Sequence, residues 1–337
     1  MDQGGEYQEE IDIQFAFIKG TPARNIIDIQ QVWPVRQYDF TSILNNSQLE
    51  PRIIHFDNNV QSLKTRVATT GHGQEGEFIP RIHSINIDGG TPEFSWQVWK
   101  ECADNPVYPQ GGTWIYDRAG WCPGAPTDLN EFEITDFVKD KNNFTIDYGI
   151  NTATGDSRYI VNTQVVKYGS MNFTNDISLE KILSPSDEIA YFRNNPICSN
   201  PVIEFKNNGS STVTEVTFEY GVDNTITNTY TWKGNLPALE KQSIAIPDID
   251  VATFNQASSF FANVVRVNSR ADEYIQNNKL VSNISPVRNF DTGIIVSMKT
   301  NGAPHETRWN LKDAHGNIIK SSPAKMDAFT IYNDTIY

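Results

Sequence analysis

Between residues 66 and 124 the chain reads RVATTGHGQEGEFIPRIHSINIDGGTPEFSWQVWKECADNPVYPQGGTWIYDRAGWCPG, its densest stretch of Gly, Trp, Pro and charged side chains. The Gly71-His72-Gly73 turn lets the backbone bend sharply and offers an imidazole at its tip. Glu77 follows just ahead of a strand over 81–88. Asp117, Arg118 and Trp121 lie on a second loop, between Cys102 and Cys122. A bridge between those two cysteines would close a loop of about 20 residues and restrict a guanidinium and an indole before any ligand arrives. Such a rim suits a sugar or a peptide. Plainer roles exist for each residue: Glu77 as a surface glutamate, His72 as a solvated turn residue, and Arg118 as scaffolding paired with Asp117 or stacked on Trp114. Trp121 could pack on the disulfide. His83 shares a strand face with Ile85 and Ile87 and reads as a core histidine.

The elements that would hold these loops are strands. Aromatic residues make up 11% of the 337, charged residues only 20%, and Asn, Thr, Ser and Gly fill the turns, a composition of β-sandwiches. The length suits two or three domains. Residues 1–20 read as the last strand of a truncated first jelly roll, through the alternation of Ile11, Ile13, Phe15 and Phe17. Residues 21–170, with runs such as NIIDIQQVWPV, RIIHFD, NFTIDYGI and SRYIVNTQVVKY, form a jelly-roll sandwich. Residues 171–195 read as a linker with one short helix or turn at DISLEKIL. Residues 196–286, where Val216, Phe218 and Tyr220 alternate, read as an immunoglobulin-like sandwich. Residues 287–337 add three strands and a DAHGN hairpin turn, an incomplete module.

A net charge of −14 repels phosphate backbones, so nucleic acid is not an expected partner. No run of about 18 apolar residues predicts a membrane span, and the first residues carry no signal-peptide pattern. Both ends read as cut, so any signal would lie upstream. Three cysteines, Cys102, Cys122 and Cys198, allow one disulfide and one remaining thiol. None has metal-site spacing.

The order of features from Arg66 onward is more specific than composition. Arg66 and Thr69 precede a Gly-His turn, Glu77 stands six residues before the strand histidine His83, and Cys102, Asn105-Pro106, Trp114 and DRAGWCPG follow. This order resembles the second jelly roll of the peptide-N-glycosidase F family, bacterial amidases that hydrolyse the bond joining an N-linked glycan to asparagine. The similarity runs from about Glu6 to Tyr168. It implies paired jelly rolls with a glycan cleft between them, shared in architecture with copper-dependent monooxygenases. It implies Glu77 and Arg118 as catalytic residues, with Glu77 handling water or a sugar hydroxyl and Arg118 steadying oxyanion charge. It also implies His72, Asp117 and Trp121 as substrate-binding residues and a Cys102–Cys122 disulfide. No cofactor or metal is expected. The implied partners are N-glycosylated proteins or their glycans, and the implied setting is secreted, periplasmic or cell surface.

The sequence departs from that pattern in four ways. The family's principal catalytic aspartate and a second glutamate lie on the first jelly roll, of which only the last strand is expected here. The loop from Gly-His to Glu77 is shorter, Thr70 stands where a tryptophan is expected, and a small disulfide around the glutamate is gone. A non-catalytic glycan-binding protein is therefore an alternative. A copper monooxygenase is a second one, but His55, His72, His83, His305 and His315 are scattered along the chain.

Overall fold

The computed structural model describes residues 13–17, 19–105, 107, 110–191, 200–247, 249, 256–286, 293–313 and 316–337. The first unit has eight strands: β1 (Arg24–Asp39), β2 (Arg52–His55), β3 (Ser62–His72), β4 (Arg81–Ile87), β5 (Phe94–Val98), β6 (Leu129–Glu133), β7 (Asn143–Ile150) and β8 (Arg158–Met171). They form two antiparallel four-stranded sheets, ordered β1-β8-β3-β6 and β2-β7-β4-β5. Strand β3 shows how the sequence dictates this. Leu63, Thr65, Val67 and Thr69 point inward and are buried, while Lys64, Arg66, Ala68 and Thr70 face outward. Across the core, Phe144, Ile146 and Tyr148 of β7 and Ile85 of β4 meet Val67, Tyr159 and Val161, and Trp33 packs edge-on against Tyr148. Each such buried side chain stabilises by about 1.5–3 kcal/mol, so alternating strands hold the sheets and leave the loops between them free to carry a site.

One polar group interrupts that core. His83 is wholly buried, its Nδ1 2.7 Å from the Tyr148 hydroxyl, which is 2.9 Å from Thr69 Oγ1. Burial pushes the His83 imidazole down to about 3. The unfolded chain therefore takes up a proton near 6.5 that the folded core refuses, so the His83 contribution is present above about 6.5 and is lost as pH falls toward about 3. The expected result is a thermal midpoint for this sandwich that falls between pH 6.5 and 4, and falls less in His83→Gln. Circular dichroism melts of both proteins would check this, and equal pH responses would contradict it.

The second unit begins earlier than the sequence suggests. DISLEKIL is strand β9 (Ile177–Ser184), not a helix or linker, and its Ile177, Leu179 and Ile182 are buried. It joins β10 (Val202–Asn207), β11 (Val213–Val222), β12 (Thr225–Leu236), β13 (Lys241–Ala245), β14 (Ser258–Val267) and β15 (Lys279–Ile284). Sheets ordered β13-β10-β9 and β12-β11-β14-β15 enclose a core around Phe205, Phe218, Tyr220 and Phe260. Beyond it, β16 (Ile294–Lys299) pairs with β19 (Ile331–Ile336), and β17 (Asn310–Lys312) with β18 (Ile318–Ser321). These are two separate ribbons with few buried side chains. Among the described residues they make four strands instead of the three expected.

Of residues 1–20, where a last strand was expected, positions 1–12 and 18 lie outside the described residues. Residues 13–17 form no strand and leave Phe15 80% and Phe17 97% exposed. No strand among the described residues pairs with them, and a strand needs a ladder partner. Cys198 and His315 also lie outside the described residues.

Candidate functional site

Strand β3 ends at His72, and one turn later a short helix, α2 (Gln74–Glu77), delivers Glu77. (The other short helix, α1, spans Phe40–Leu44 between β1 and β2.) The carboxylate of Asp156 fixes the start of α2, accepting from the backbone N–H groups of Gln74 (3.0 Å) and Glu75 (3.1 Å). Those bonds hold the Asp156 carboxyl below its ordinary range.

The loop carrying DRAGWC docks directly on this corner. Gly71 donates to Ala119 O (2.8 Å), and Ala119 donates to Glu77 O (2.9 Å). A Cβ on Gly71 would lie 2.0 Å from Gly76 O and 2.5 Å from Ala119 Cβ, so only glycine permits the approach. Gly120, at φ 77°, would place a Cβ 2.3 Å from Thr69 O. Cys102 and Cys122 form a disulfide behind the loop, with Cα atoms 5.4 Å apart.

Arg118 organises what lies between. Its Nε donates to Glu77 Oε1 at 2.7 Å, and its side chain is 5% exposed against 20% for Glu77. Nη1 donates to the carbonyls of Tyr116 (3.0 Å) and Trp114 (3.4 Å), and Nη2 to Thr113 O (2.9 Å) and Oγ1 (3.0 Å). Every guanidinium nitrogen thus has a protein acceptor. The sequence offered Asp117 or Trp114 as Arg118's partner. The structure gives it Glu77, 41 positions away, and seats Cζ 5.1 Å from the Trp121 ring and 5.3 Å from that of Phe78. The Arg118 guanidinium thus holds the Glu77 carboxylate through its Nε–H. Among the described residues the Glu77 carboxylate has no second hydrogen-bond partner.

Trp121 donates Nε1–H to Gly71 O (3.1 Å), and its ring stacks on His72 with centroids 5.7 Å apart and planes 25° apart. His72 Nε2 is 2.9 Å from Thr70 Oγ1. Asp117 accepts from Cys102 N (3.1 Å), a bond within the stapled loop. The structure thus brings Glu77, Arg118, Trp121 and His72 together and places Asp117 on the scaffold. Thr113 and Asp156 were missed in the sequence, since backbone-directed contacts leave no spacing signature. Beside Thr70, a groove of about 490 Å³ opens on the outer face of the first sheet, lined by Val35, Gln37, Ala68, Ile160 and Asn162. A carboxylate next to a stacked aromatic pair can accept from a sugar hydroxyl or a water while the rings cover an apolar sugar face.

Residues 40–167, which contain the whole of this corner, match the family described as peptide-N-glycosidase F, C terminal. The first sandwich resembles the C-terminal domain of peptide-N-glycosidase F. A curated relative, peptide-N(4)-(N-acetyl-β-D-glucosaminyl)asparagine amidase F of Elizabethkingia miricola, is 28% identical over 189 residues, 49% of this chain and 50% of the relative. The chain spans about half the length of that curated relative. Among solved structures, PNGase F of Flavobacterium meningosepticum is 23% identical, with 45% of this chain and 55% of that one covered and a TM-score of 0.40. The structure of PNGF-II is 20% identical, with 44% and 30% covered and a TM-score of 0.34.

The disulfide is the one the resemblance to peptide-N-glycosidase F implied. Among the described residues no group of three or more His, Cys, Asp or Glu could hold a metal ion. No described helix is long and apolar enough to cross a membrane.

Proposed function

We propose that the first sandwich forms one wall of a site for the junction between an N-linked glycan and asparagine, in an amidase of the peptide-N-glycosidase F type. The observation that carries this is the Glu77 carboxylate, held by Arg118 beside the His72–Trp121 stack, inside the segment that matches the family. Glu77 orients water or a sugar hydroxyl, Trp121 and His72 cover a sugar face, and Arg118 fixes the carboxylate. The principal acid for amide hydrolysis comes from an opposite wall, which the family places on its first jelly roll. The substrates are N-glycosylated proteins. The disulfide supports an oxidising, extracytoplasmic setting. The three-plus-four strand order of the second unit supports an immunoglobulin-like module serving as a spacer.

One observation favours a second reading, a glycan-binding wall without turnover: Arg118 has no guanidinium nitrogen left over for an oxyanion. Glycan release separates the two. In a protein carrying both walls, Glu77→Gln is expected to lower N-glycan release from a glycoprotein at least tenfold, measured by mass spectrometry on variant protein that circular dichroism shows to be folded. Unchanged release by that variant would overturn the amidase reading.

A further inference from the structure

The stapled loop carries a knuckle that the glycan site leaves unused. Residues 110–116 read QGGTWIY and hold no charge, in a chain whose net charge is −14. Tyr116 N donates to Thr113 O (3.1 Å) and closes a tight turn over residues 113–116. The first charged residue after it, Asp117, turns its carboxylate back to Cys102 N (3.1 Å).

Arg118 holds this turn. Its two Nη atoms donate to the carbonyls of Thr113 (2.9 Å), Trp114 (3.4 Å) and Tyr116 (3.0 Å), while its Nε donates to Glu77 Oε1 (2.7 Å). One planar group therefore fixes the Glu77 carboxylate through one nitrogen and the knuckle backbone through the other two. With the carbonyls drawn inward, Ile115 and Tyr116 are left in solvent, 48% and 56% exposed. One exposed apolar side chain is ordinary on a protein surface. Two adjacent ones on a loop stapled by a disulfide and held at three carbonyls are a preorganised contact, because little conformational entropy remains to be lost when something covers them. Tyrosine adds rigid contact area at low entropic cost.

We infer that Ile115 and Tyr116 are the contact for the polypeptide end of the substrate, covering apolar side chains that flank the glycosylated asparagine. The inference rests on the glycan-junction site proposed for Glu77. An N-linked junction has two ends, a sugar and a peptide, joined by one amide. The sugar end has the His72–Trp121 stack and the Glu77 carboxylate. The knuckle is bonded to the same guanidinium as that carboxylate, so a ligand spanning the junction meets it with its other end. A branched aliphatic beside a phenol suits leucine, valine or phenylalanine, whereas a second sugar would bring hydroxyls against Ile115 with no protein partner to satisfy them. With no charge on residues 110–116, acidic or basic flanks find no ion-pair partner there. The protein therefore favours junctions whose apolar neighbours are accessible, as in unfolded or proteolysed glycoproteins.

The test is calorimetric titration of the 337-residue chain with three probes: chitobiosyl-asparagine without flanking residues, a glycopeptide whose asparagine is flanked by leucine and phenylalanine, and one flanked by glycine and serine. The apolar-flanked glycopeptide is expected to bind at least tenfold more tightly than the polar-flanked one. The Ile115→Ser/Tyr116→Ser double variant keeps the Tyr116 carbonyl that Arg118 bonds. In it the preference should fall below twofold, with affinity for chitobiosyl-asparagine within twofold of the unsubstituted chain. Should the double variant fail to fold, the two single variants replace it. Equal binding of the two glycopeptides, or a preference that survives the substitutions, overturns the knuckle's role and leaves the glycan site standing. No binding of chitobiosyl-asparagine by the unsubstituted chain overturns the glycan site, and this inference with it.

Discussion

Arg118→Ala is expected to cost about 3 kcal/mol of stability and to lower the melting midpoint of the first sandwich by roughly 10 °C. The reason lies in what the guanidinium leaves behind. Glu77 loses its ion-pair partner, and the carbonyls of Thr113, Trp114 and Tyr116 lose their donors while partly buried. Arg118→Lys should recover little, because an ammonium is a point charge and cannot replace the planar fork that bonds Glu77 and three successive stretches of the loop. Thermal unfolding of the three proteins checks this. A loss below about 1 kcal/mol in the alanine variant would show that Arg118 is not the keystone of the corner.

Removing the disulfide should have an effect of similar size by a different route. The bridge closes a loop of 20 residues, and the chain-entropy relation gives about 3 kcal/mol for that length. The Cys102→Ser/Cys122→Ser double variant should melt roughly 10 °C lower, and reductant should lower the unsubstituted chain toward the same value. Site geometry should suffer as well, since Asp117 bonds Cys102 N and Trp121 adjoins Cys122. A double variant as stable as the parent would mean that docking through Gly71 and Ala119 alone holds the loop.

How far the sequence reached is visible in particular residues. Strand β7 was legible because Phe144, Ile146, Tyr148 and Ile150 alternate without interruption over a two-faced sheet. Strand β9 was not. Its pairing with β10 carries two register shifts, and Glu180 and Lys181 both face solvent between buried Leu179 and Ile182. That breaks the period of two and imitates a helical spacing. The corner itself followed the same division. The DRAGWC loop and Glu77 stand out in the sequence, and their match to peptide-N-glycosidase F covers residues 40–167. Which acid meets Arg118 depends on a pairing across 41 positions and on the turn of α2, and adjacency pointed wrongly to Asp117.

The central claim is that Glu77, held by Arg118 beside Trp121 and His72, recognises the glycan end of an N-linked junction. The most direct measurement is calorimetric titration of the 337-residue chain with a glycopeptide bearing a chitobiose core on asparagine, alongside the same peptide without sugar. The account predicts saturable binding of the glycopeptide only, weakened at least tenfold, about 1.4 kcal/mol, in Glu77→Gln. Equal affinity of the variant, or equal binding of the sugar-free peptide, would contradict it.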